Sequence, residues 1–114
     1  MASTHDYEID SRNNNIQIYI DGEFFSRADA KISVMDSGYL LGDGVWEGIR
    51  LYNNHLIHLE KHLERLYEGA ETIQMNIGIS KSEMRSALEQ TLQTNKMISD
   101  VHIRLIVSRG IKST

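Results

Sequence analysis

An alternation of apolar and polar residues predicts strands near the start of the chain. Residues 16 to 20 alternate between isoleucine and polar residues, and the Asp21-Gly22 pair that follows is typical of a two-residue hairpin turn. Residues 23 to 26 are then expected to form the returning strand. Beyond them, residues 30 to 35 are expected to be extended, and residues 36 to 44, with three glycines, to form a loop or a broken turn.

The apolar repeat lengthens to about 3.6 residues near Leu59, and this change predicts two helices. Apolar residues recur at helical spacing as far as Ile73, so residues 59 to 74 are expected to form an amphipathic helix. Ser80 followed by Glu83 matches a capping box, which predicts that a second helix covers about residues 81 to 94. The buried side of this second helix is expected to contain Ala87, Leu88, Thr91 and Leu92.

Three further strands are predicted at residues 45 to 52, 55 to 58 and 101 to 108. In the last of them, the odd-numbered residues are expected on one face and the even-numbered residues on the other. Because hairpins give antiparallel pairs, the predicted fold class is α+β, a mainly antiparallel sheet with helices packed on one side. The polar residues 1 to 15 are expected to form a flexible N-terminal arm, and residues 16 to 114 one small domain.

The composition excludes several classes of function. The 114 residues carry a net charge of -4 and have no basic block, which argues against nucleic-acid binding. The chain has no cysteine, so it has neither disulfides nor thiolate metal sites. It has no apolar run long enough to cross a bilayer and no secretory signal, so no membrane contact and a cytoplasmic location are expected.

The segment from Gly42 to Arg50 is the most unusual part of the sequence. Within its predicted strand, Trp46, Gly48 and Arg50 share one face. An aromatic ring, bare backbone and a cation together would line a pocket for an anionic organic molecule. The alternative is a glycine-rich turn, a core tryptophan and a surface arginine, and composition alone favours this alternative.

Two arginines outside that segment are candidates for binding an anion. Arg65 lies beside the apolar stripe of the first long helix, where a guanidinium could bind phosphate through two parallel hydrogen bonds. The alternatives are an ion pair with Glu68 or a solvated side chain. Arg104 lies mid-strand among apolar residues and is expected to need an anionic partner, either an internal carboxylate or a substrate.

Three histidines invite comparison with a metal site, because His58 and His62 are four residues apart at the start of the helix and His55 precedes them. Zinc is usually bound by three or four ligands, and no ligand-rich cluster completes this set. No metal site is therefore predicted.

Several segments together resemble the class IV, or fold-type IV, pyridoxal-phosphate-dependent aminotransferases, a family with branched-chain and D-amino acid aminotransferases. The segments are Gly42–Arg50, His62–Leu66 and His102–Gly110, in the order and spacing of that family's N-terminal domain. The resemblance implies pyridoxal 5'-phosphate as cofactor and an amino acid and a 2-oxo acid as substrates. It also implies a homodimer.

The resemblance assigns roles to individual residues. Arg65 would hold the cofactor phosphate, and the substrate would be bound by Trp46, Gly48, Arg50, His102 and Arg104. Branched-chain enzymes carry tyrosines where this chain has Leu41 and His102, and phenylalanine where it has Trp46. Branched-chain specificity is therefore left open.

The resemblance places the catalytic lysine, which carries the cofactor, in a second, C-terminal domain. The five lysines, Lys31, Lys61, Lys81, Lys96 and Lys112, do not match its position. The chain ends just after the last predicted strand, so we interpret it as truncated before that domain and expect it not to transaminate alone. Two alternatives stay open: a lyase similar to aminodeoxychorismate lyase, using the same cofactor, and a non-catalytic domain that dimerises or binds a small anion.

Overall fold

A computed structural model describes residues 9 to 112 and divides the chain into two compact units, one up to Ala30 and one from Lys31 onward. Residues 1 to 8 of the predicted N-terminal arm lie outside the described residues. Whether residues 16 to 114 act as one domain stays a prediction.

The first unit contains the predicted hairpin. Strand β1 (Gln17–Ile20) pairs antiparallel with β2 (Glu23–Ser26), and Tyr19 lies opposite Phe24. The turn between them has positive φ angles at Asp21 and Gly22, +50° and +89°. These angles suit glycine best, so the Asp-Gly pair explains why the chain reverses here. The part of the predicted arm that the structure describes includes a short 3-10 turn, Ser11–Asn13.

The second unit combines a three-stranded antiparallel sheet with three helices. Its elements follow in the order α1 (Ser37–Leu41), β3 (Gly44–Tyr52), β4 (His55–Leu56), α2 (Leu59–Thr72), α3 (Lys81–Thr94) and β5 (Val101–Ser108). The central strand is β3, with β4 on one side and β5 on the other. The predicted last strand and second long helix are confirmed at both ends. The predicted α+β class is confirmed as well.

The core of this unit lies between one face of the sheet and the two long helices. Ile49 of β3, Leu63 and Leu66 of α2, and Met84 and Leu88 of α3 belong to one buried cluster. The predicted stripe of α2 is confirmed from Leu59 to Ala70. On α3 the prediction was partly right, because Leu88 is buried whereas Ala87, Thr91 and Leu92 are only half-buried, and the buried Met84 was not foreseen.

Part of the segment 36–44, for which a loop or broken turn was predicted, is the short helix α1, so that prediction was wrong. The Asp36 carboxylate accepts hydrogen bonds from the backbone N–H groups of Gly38 (2.8 Å) and Tyr39 (3.3 Å). At the other end, Gly42 adopts a left-handed conformation with φ of 69°. A polar N-cap and a left-handed glycine are the usual start and end of a helix.

Within the described part of the chain, no helix has the length and apolar character that would let it cross a membrane.

Candidate functional site

The sheet face opposite the two long helices holds five of the six residues predicted for the site. On β3 these are Trp46, Gly48 and Arg50, which alternate with the buried Glu47, Ile49 and Leu51. On β5, Arg104 lies opposite Gly48 and His102 opposite Arg50. The predicted sharing of one face is therefore confirmed, and we call these residues, Trp46, Gly48, Arg50, His102 and Arg104, the open-face cluster.

Arg104 stacks on the aromatic ring of Trp46. Its guanidinium carbon lies 4.9 Å from the ring centroid, a cation–π contact across the two neighbouring strands. Arg104 is exposed, on the even-numbered face of β5 that the alternation predicted, so it does not need the internal carboxylate that was one of its two expected partners. Its guanidinium has no ion pair with any residue that the structure describes, so its donors remain open to an anion.

The imidazole of His102 covers the backbone of Gly48. A Cβ atom built on Gly48 would lie 2.7 Å from Cε1 and 3.0 Å from Nε2 of His102. Any larger residue at position 48 would therefore displace the ring. Glycine here gives close approach to the backbone rather than a special φ angle.

Arg50 lies at the far end of this face. Its Nη2 is 4.0 Å from Oδ1 of Asp100, and both side chains are largely exposed. An exposed pair at this distance contributes little to stability and leaves the guanidinium able to exchange partners.

Arg65 projects from α2, on the helix-covered side of β3, and binds Glu47. Its Nε donates to both carboxylate oxygens at 3.1 and 3.0 Å, and its Nη2 donates to Oε1 at 2.7 Å. The side chain of Glu47 is only 6% exposed, whereas that of Arg65 is 72% exposed. The guanidinium is therefore fixed at one edge by a buried carboxylate and open to solvent at the other.

His62, one turn before Arg65 on α2, also contacts Glu47. Its Nδ1 lies 2.7 Å from Oε1 of the carboxylate. The hydrogen bonds from Arg65, and then from His62, hold the pKa of Glu47 below its usual value against the opposing effect of burial. An ionised carboxylate can only accept, so Nδ1 of His62 carries the hydrogen of this bond.

The comparisons with known proteins bear on these residues. A sequence model of the family described as amino-transferase class IV matches residues 44–114, more than half of the chain. The chain belongs to the class IV aminotransferase family. The predicted family is thereby confirmed, and the match contains all six residues predicted for the site.

Individual members of the family show the same relationship. The chain is 43% identical over 96 residues to a Methanocaldococcus jannaschii protein provisionally named a branched-chain-amino-acid aminotransferase. The aligned region covers 84% of this chain and 33% of that protein. It is 35% identical over 98 residues to a D-alanine aminotransferase of Listeria monocytogenes, covering 86% and 34%. The chain therefore spans about a third of the length of these curated relatives.

A solved structure agrees in fold. The T.th. branched-chain amino acid aminotransferase, complexed with N-(5'-phosphopyridoxyl)-L-glutamate, aligns with a TM-score of 0.78 and 28% identity. The alignment covers 87% of this chain and 34% of that one. The predicted fold-type IV N-terminal domain is confirmed.

One expectation about Arg65 needs correction. An internal partner of Arg65 was sought at Glu68, on the same helix, but the structure pairs Arg65 with Glu47. Alternation along β3 already places Glu47 on the core side, where a carboxylate needs a cation. The alternation therefore indicates a cationic partner for Glu47 in the core, although it does not identify that partner.

The predicted site residues fall into two groups. The open-face cluster lies on one side of β3, and the contacts of Arg65 lie on the other side, at Glu47. A groove of about 790 Å³ beside β4 and the ends of α2 and α3 has none of these residues in its lining. No cluster of three or more His, Cys, Asp or Glu suited to a metal occurs in the described part of the chain.

Proposed function

We propose that the chain is the N-terminal part of a pyridoxal-phosphate-dependent transaminase. The reaction transfers an amino group between an amino acid, branched-chain-like in character, and a 2-oxo acid. The observation that carries this proposal is the open-face cluster, where Arg104 stacks on Trp46 and the imidazole of His102 lies against the backbone of Gly48. The aminotransferase names of the relatives support the reaction, and the branched-chain name of the first supports the substrate.

The open-face cluster suits a substrate with a carboxylate and an apolar side chain. The guanidinium of Arg104 is held by the ring of Trp46 and has hydrogen-bond donors free for a carboxylate. The exposed indole supplies an apolar wall for the side chain of the substrate. Gly48 makes room for the imidazole of His102, and His102 and Arg50 add donors at the same face.

Arg65 suits the phosphate group of the cofactor. Its Nη1 makes no hydrogen bond to any described residue, and its side chain is exposed although Glu47 fixes its other edge. A guanidinium with a free pair of donors matches the oxygens of a phosphate ester. Pyridoxal phosphate, when bound, supplies the electron sink that amino-group transfer requires.

The five lysines of the chain are all exposed, and we propose that the catalytic lysine is not among them. Arg65 would then bind the cofactor and the open-face cluster the substrate. The proton at the substrate α-carbon would be moved by a lysine outside these 114 residues. On this proposal the chain alone does not transaminate, and the enzyme acts as a cytoplasmic homodimer. The exposed apolar side chains of α1 support such an assembly.

The proposal is tested on the full-length gene product. We expect it to purify with the visible absorbance of bound pyridoxal phosphate and to exchange amino groups between an L-amino acid such as leucine and 2-oxoglutarate. L-valine and D-alanine as alternative donors report the side-chain and stereochemical preference. Absence of cofactor binding would contradict the proposal, and release of pyruvate and an aminobenzoate from aminodeoxychorismate would favour the lyase.

Arg104→Gln tests the substrate role within the same protein. We expect the KM for the amino donor to rise about 10- to 100-fold, since a hydrogen bond to a charged group is lost. The cofactor absorbance should be retained. Arg27→Gln is the matched control, because Arg27 is exposed and, among the described residues, its guanidinium donates to the Asn13 carbonyl alone. An unchanged KM in Arg104→Gln would contradict the role of Arg104.

A further inference from the structure

We propose that Glu47 is a positioning residue that holds the Arg65 guanidinium ready to receive the cofactor phosphate. The inference rests on the proposed function, and it adds a residue that does not itself contact the cofactor. It assigns a role to the buried carboxylate of Glu47, which is not part of the open-face cluster.

The first support is the contrast in burial between the two partners. Glu47 is on the core face of β3, next to the fully buried Ile49, and its side chain is 6% exposed. A carboxylate in such a place is strongly destabilising without a cation, so its partner cannot leave freely. Arg65 is therefore held by a carboxylate that water cannot solvate if the guanidinium leaves.

The second support is which edge of the guanidinium is used. Glu47 accepts from Nε and Nη2, the edge nearest the aliphatic stem of Arg65. A planar guanidinium has a second edge, formed by Nη1 and the remaining hydrogen of Nη2. This second edge has no partner among the described residues and points away from the carboxylate, so two parallel donors stay available to phosphate oxygens.

The third support is conformational entropy. A free arginine side chain on a helix surface samples many rotamers, and binding a ligand would have to immobilise it. Three hydrogen bonds to Glu47 immobilise it in advance. His62 donates to the same oxygen and so restrains the carboxylate from the side of α2.

The position of Glu47 in β3 also connects the two groups of site residues. Its neighbours in the strand, Trp46 and Gly48, belong to the open-face cluster on the other side of the sheet. One strand segment thus fixes the substrate face and, through Glu47, the phosphate-binding arginine. A shift of α2 along β3 would misplace the arginine relative to the substrate face.

A competing role for Glu47 gives the opposite expectation. The carboxylate neutralises the charge of Arg65, so it could weaken phosphate binding rather than assist it. Removal of its charge would then tighten binding. The sign of the effect therefore decides between the positioning role and competition.

The experiment uses the full-length protein, stripped of cofactor, and titrates it with pyridoxal phosphate and with pyridoxal, which lacks the phosphate. For Glu47→Gln we expect the Kd of pyridoxal phosphate to rise about three- to tenfold, the cost of ordering one long side chain. The Kd of pyridoxal should not change. The matched control is Glu60→Gln, which removes the acidic partner of Arg85 in an exposed ion pair and should leave both values unchanged.

A double-mutant cycle separates positioning from a general effect on the fold. Glu47→Gln should cause no further loss of phosphate affinity when Arg65 is already Gln, because Glu47 acts through that arginine. Glu47→Asp keeps the charge and should recover part of the affinity. If Glu47→Gln does not fold, Glu47→Asp replaces it in the cycle: it should bind pyridoxal phosphate more weakly than the wild type, and it should cause no further loss when Arg65 is already Gln.

Three results would overturn the inference: unchanged or tighter binding of pyridoxal phosphate by Glu47→Gln, an equal loss for pyridoxal, or a further loss of phosphate affinity from Glu47→Gln when Arg65 is already Gln. Failure of the wild-type protein to bind pyridoxal phosphate at all would instead contradict the proposed function. The two failures are thus distinguishable.

Discussion

Two glycines of β3 have different neighbours, and this difference gives a test of the site at the scale of single residues. A Cβ atom on Gly44 would lie 2.5 Å from the backbone oxygen of Val107, whereas one on Gly48 would meet the side chain of His102. Backbone in a paired strand cannot move aside, but an exposed imidazole can rotate. We therefore expect the same substitution, glycine to alanine, to lower the free energy of unfolding by different amounts at the two positions.

Gly44→Ala is expected to destabilise the fold by about 1–3 kcal/mol, the usual cost of overpacking, and Gly48→Ala by less. Gly48→Ala should instead move His102 and raise the KM of the amino donor in the full-length enzyme. Urea unfolding and steady-state kinetics measure the two effects. Equal losses of stability in both variants would show that the ring of His102 is as rigid as the backbone.

A second prediction at this scale concerns the pH dependence of Glu47. Its pKa is lowered from a usual value of 4.5, mainly by the hydrogen bonds from Arg65. A lowered folded-state pKa means that the stabilisation is fully present above about 4.5 and is lost as the pH falls through the folded value. Glu47→Gln should be less stable near neutral pH and lose less stability on acidification.

The measurement is urea unfolding of both proteins from about pH 6 to about pH 3. The two curves of unfolding free energy against pH should converge in acid. Glu83→Gln serves as a comparison, because the lowered pKa of Glu83 arises from the helix cap at Ser80 instead. Parallel curves for wild type and Glu47→Gln would contradict the prediction.

Sequence alone predicted the faces of single residues better than their partners. The alternation along β3 and β5 correctly placed Trp46, Gly48 and Arg50 together, because strand geometry has a period of two. It could not pair Arg65 with Glu47, since that contact depends on how α2 lies across β3. The alternation along β5 also placed Arg104 on the face with His102, but the sequence could not show that this face is exposed and that Arg104 needs no internal carboxylate.

At the scale of elements, the long helices were predictable and the short one was not. Helices α2 and α3 are fourteen residues long each, so an apolar repeat or a capping box has several turns in which to appear. The five residues of α1 form little more than one turn, so no repeat exists. In the sequence, only its capping residues, Asp36 and Gly42, indicate that a helix lies here. Asp36 also accepts from the Ser108 hydroxyl at 2.7 Å, which ties α1 to β5.

The capping box of α3 gives the prediction at this scale. The Ser80 hydroxyl accepts from the backbone N–H of Glu83, and the Glu83 carboxylate accepts from the backbone N–H of Ser80. Ser80→Ala should lower the free energy of unfolding by about 1 kcal/mol. Ser86→Ala, inside the same helix and exposed, should be neutral or slightly stabilising because alanine favours helix. Equal effects of the two changes, measured in urea, would rule out a contribution from the cap.

At the scale of the whole molecule, several large apolar side chains are exposed instead of being buried in the core. Tyr39 and Leu41 of α1 are exposed, as are Trp46 and Ile106 on the open face and Ile111 just beyond β5. The backbone joins two of these regions, since Ser37 N–H donates to the carbonyl of Gly110. Extended exposed apolar surface usually marks an interface. A second copy of the chain is the occupant that the proposed homodimer requires.

We therefore expect the purified 114-residue chain to self-associate, with a sedimentation coefficient that increases with protein concentration. The double change Tyr39→Glu and Leu41→Glu should shift the equilibrium towards monomer, because burying two carboxylates opposes association. Ile98→Glu is the control, since Ile98 is as exposed as Tyr39, 69% against 68%. Ile98 lies beside the opposite end of β3, where its carbonyl accepts a hydrogen bond from the backbone N–H of Asn54. A chain that stays monomeric at high concentration would contradict this prediction. Equal dissociation by Ile98→Glu would also contradict it. Either result would mean that α1 does not form the interface and that its apolar side chains remain in water.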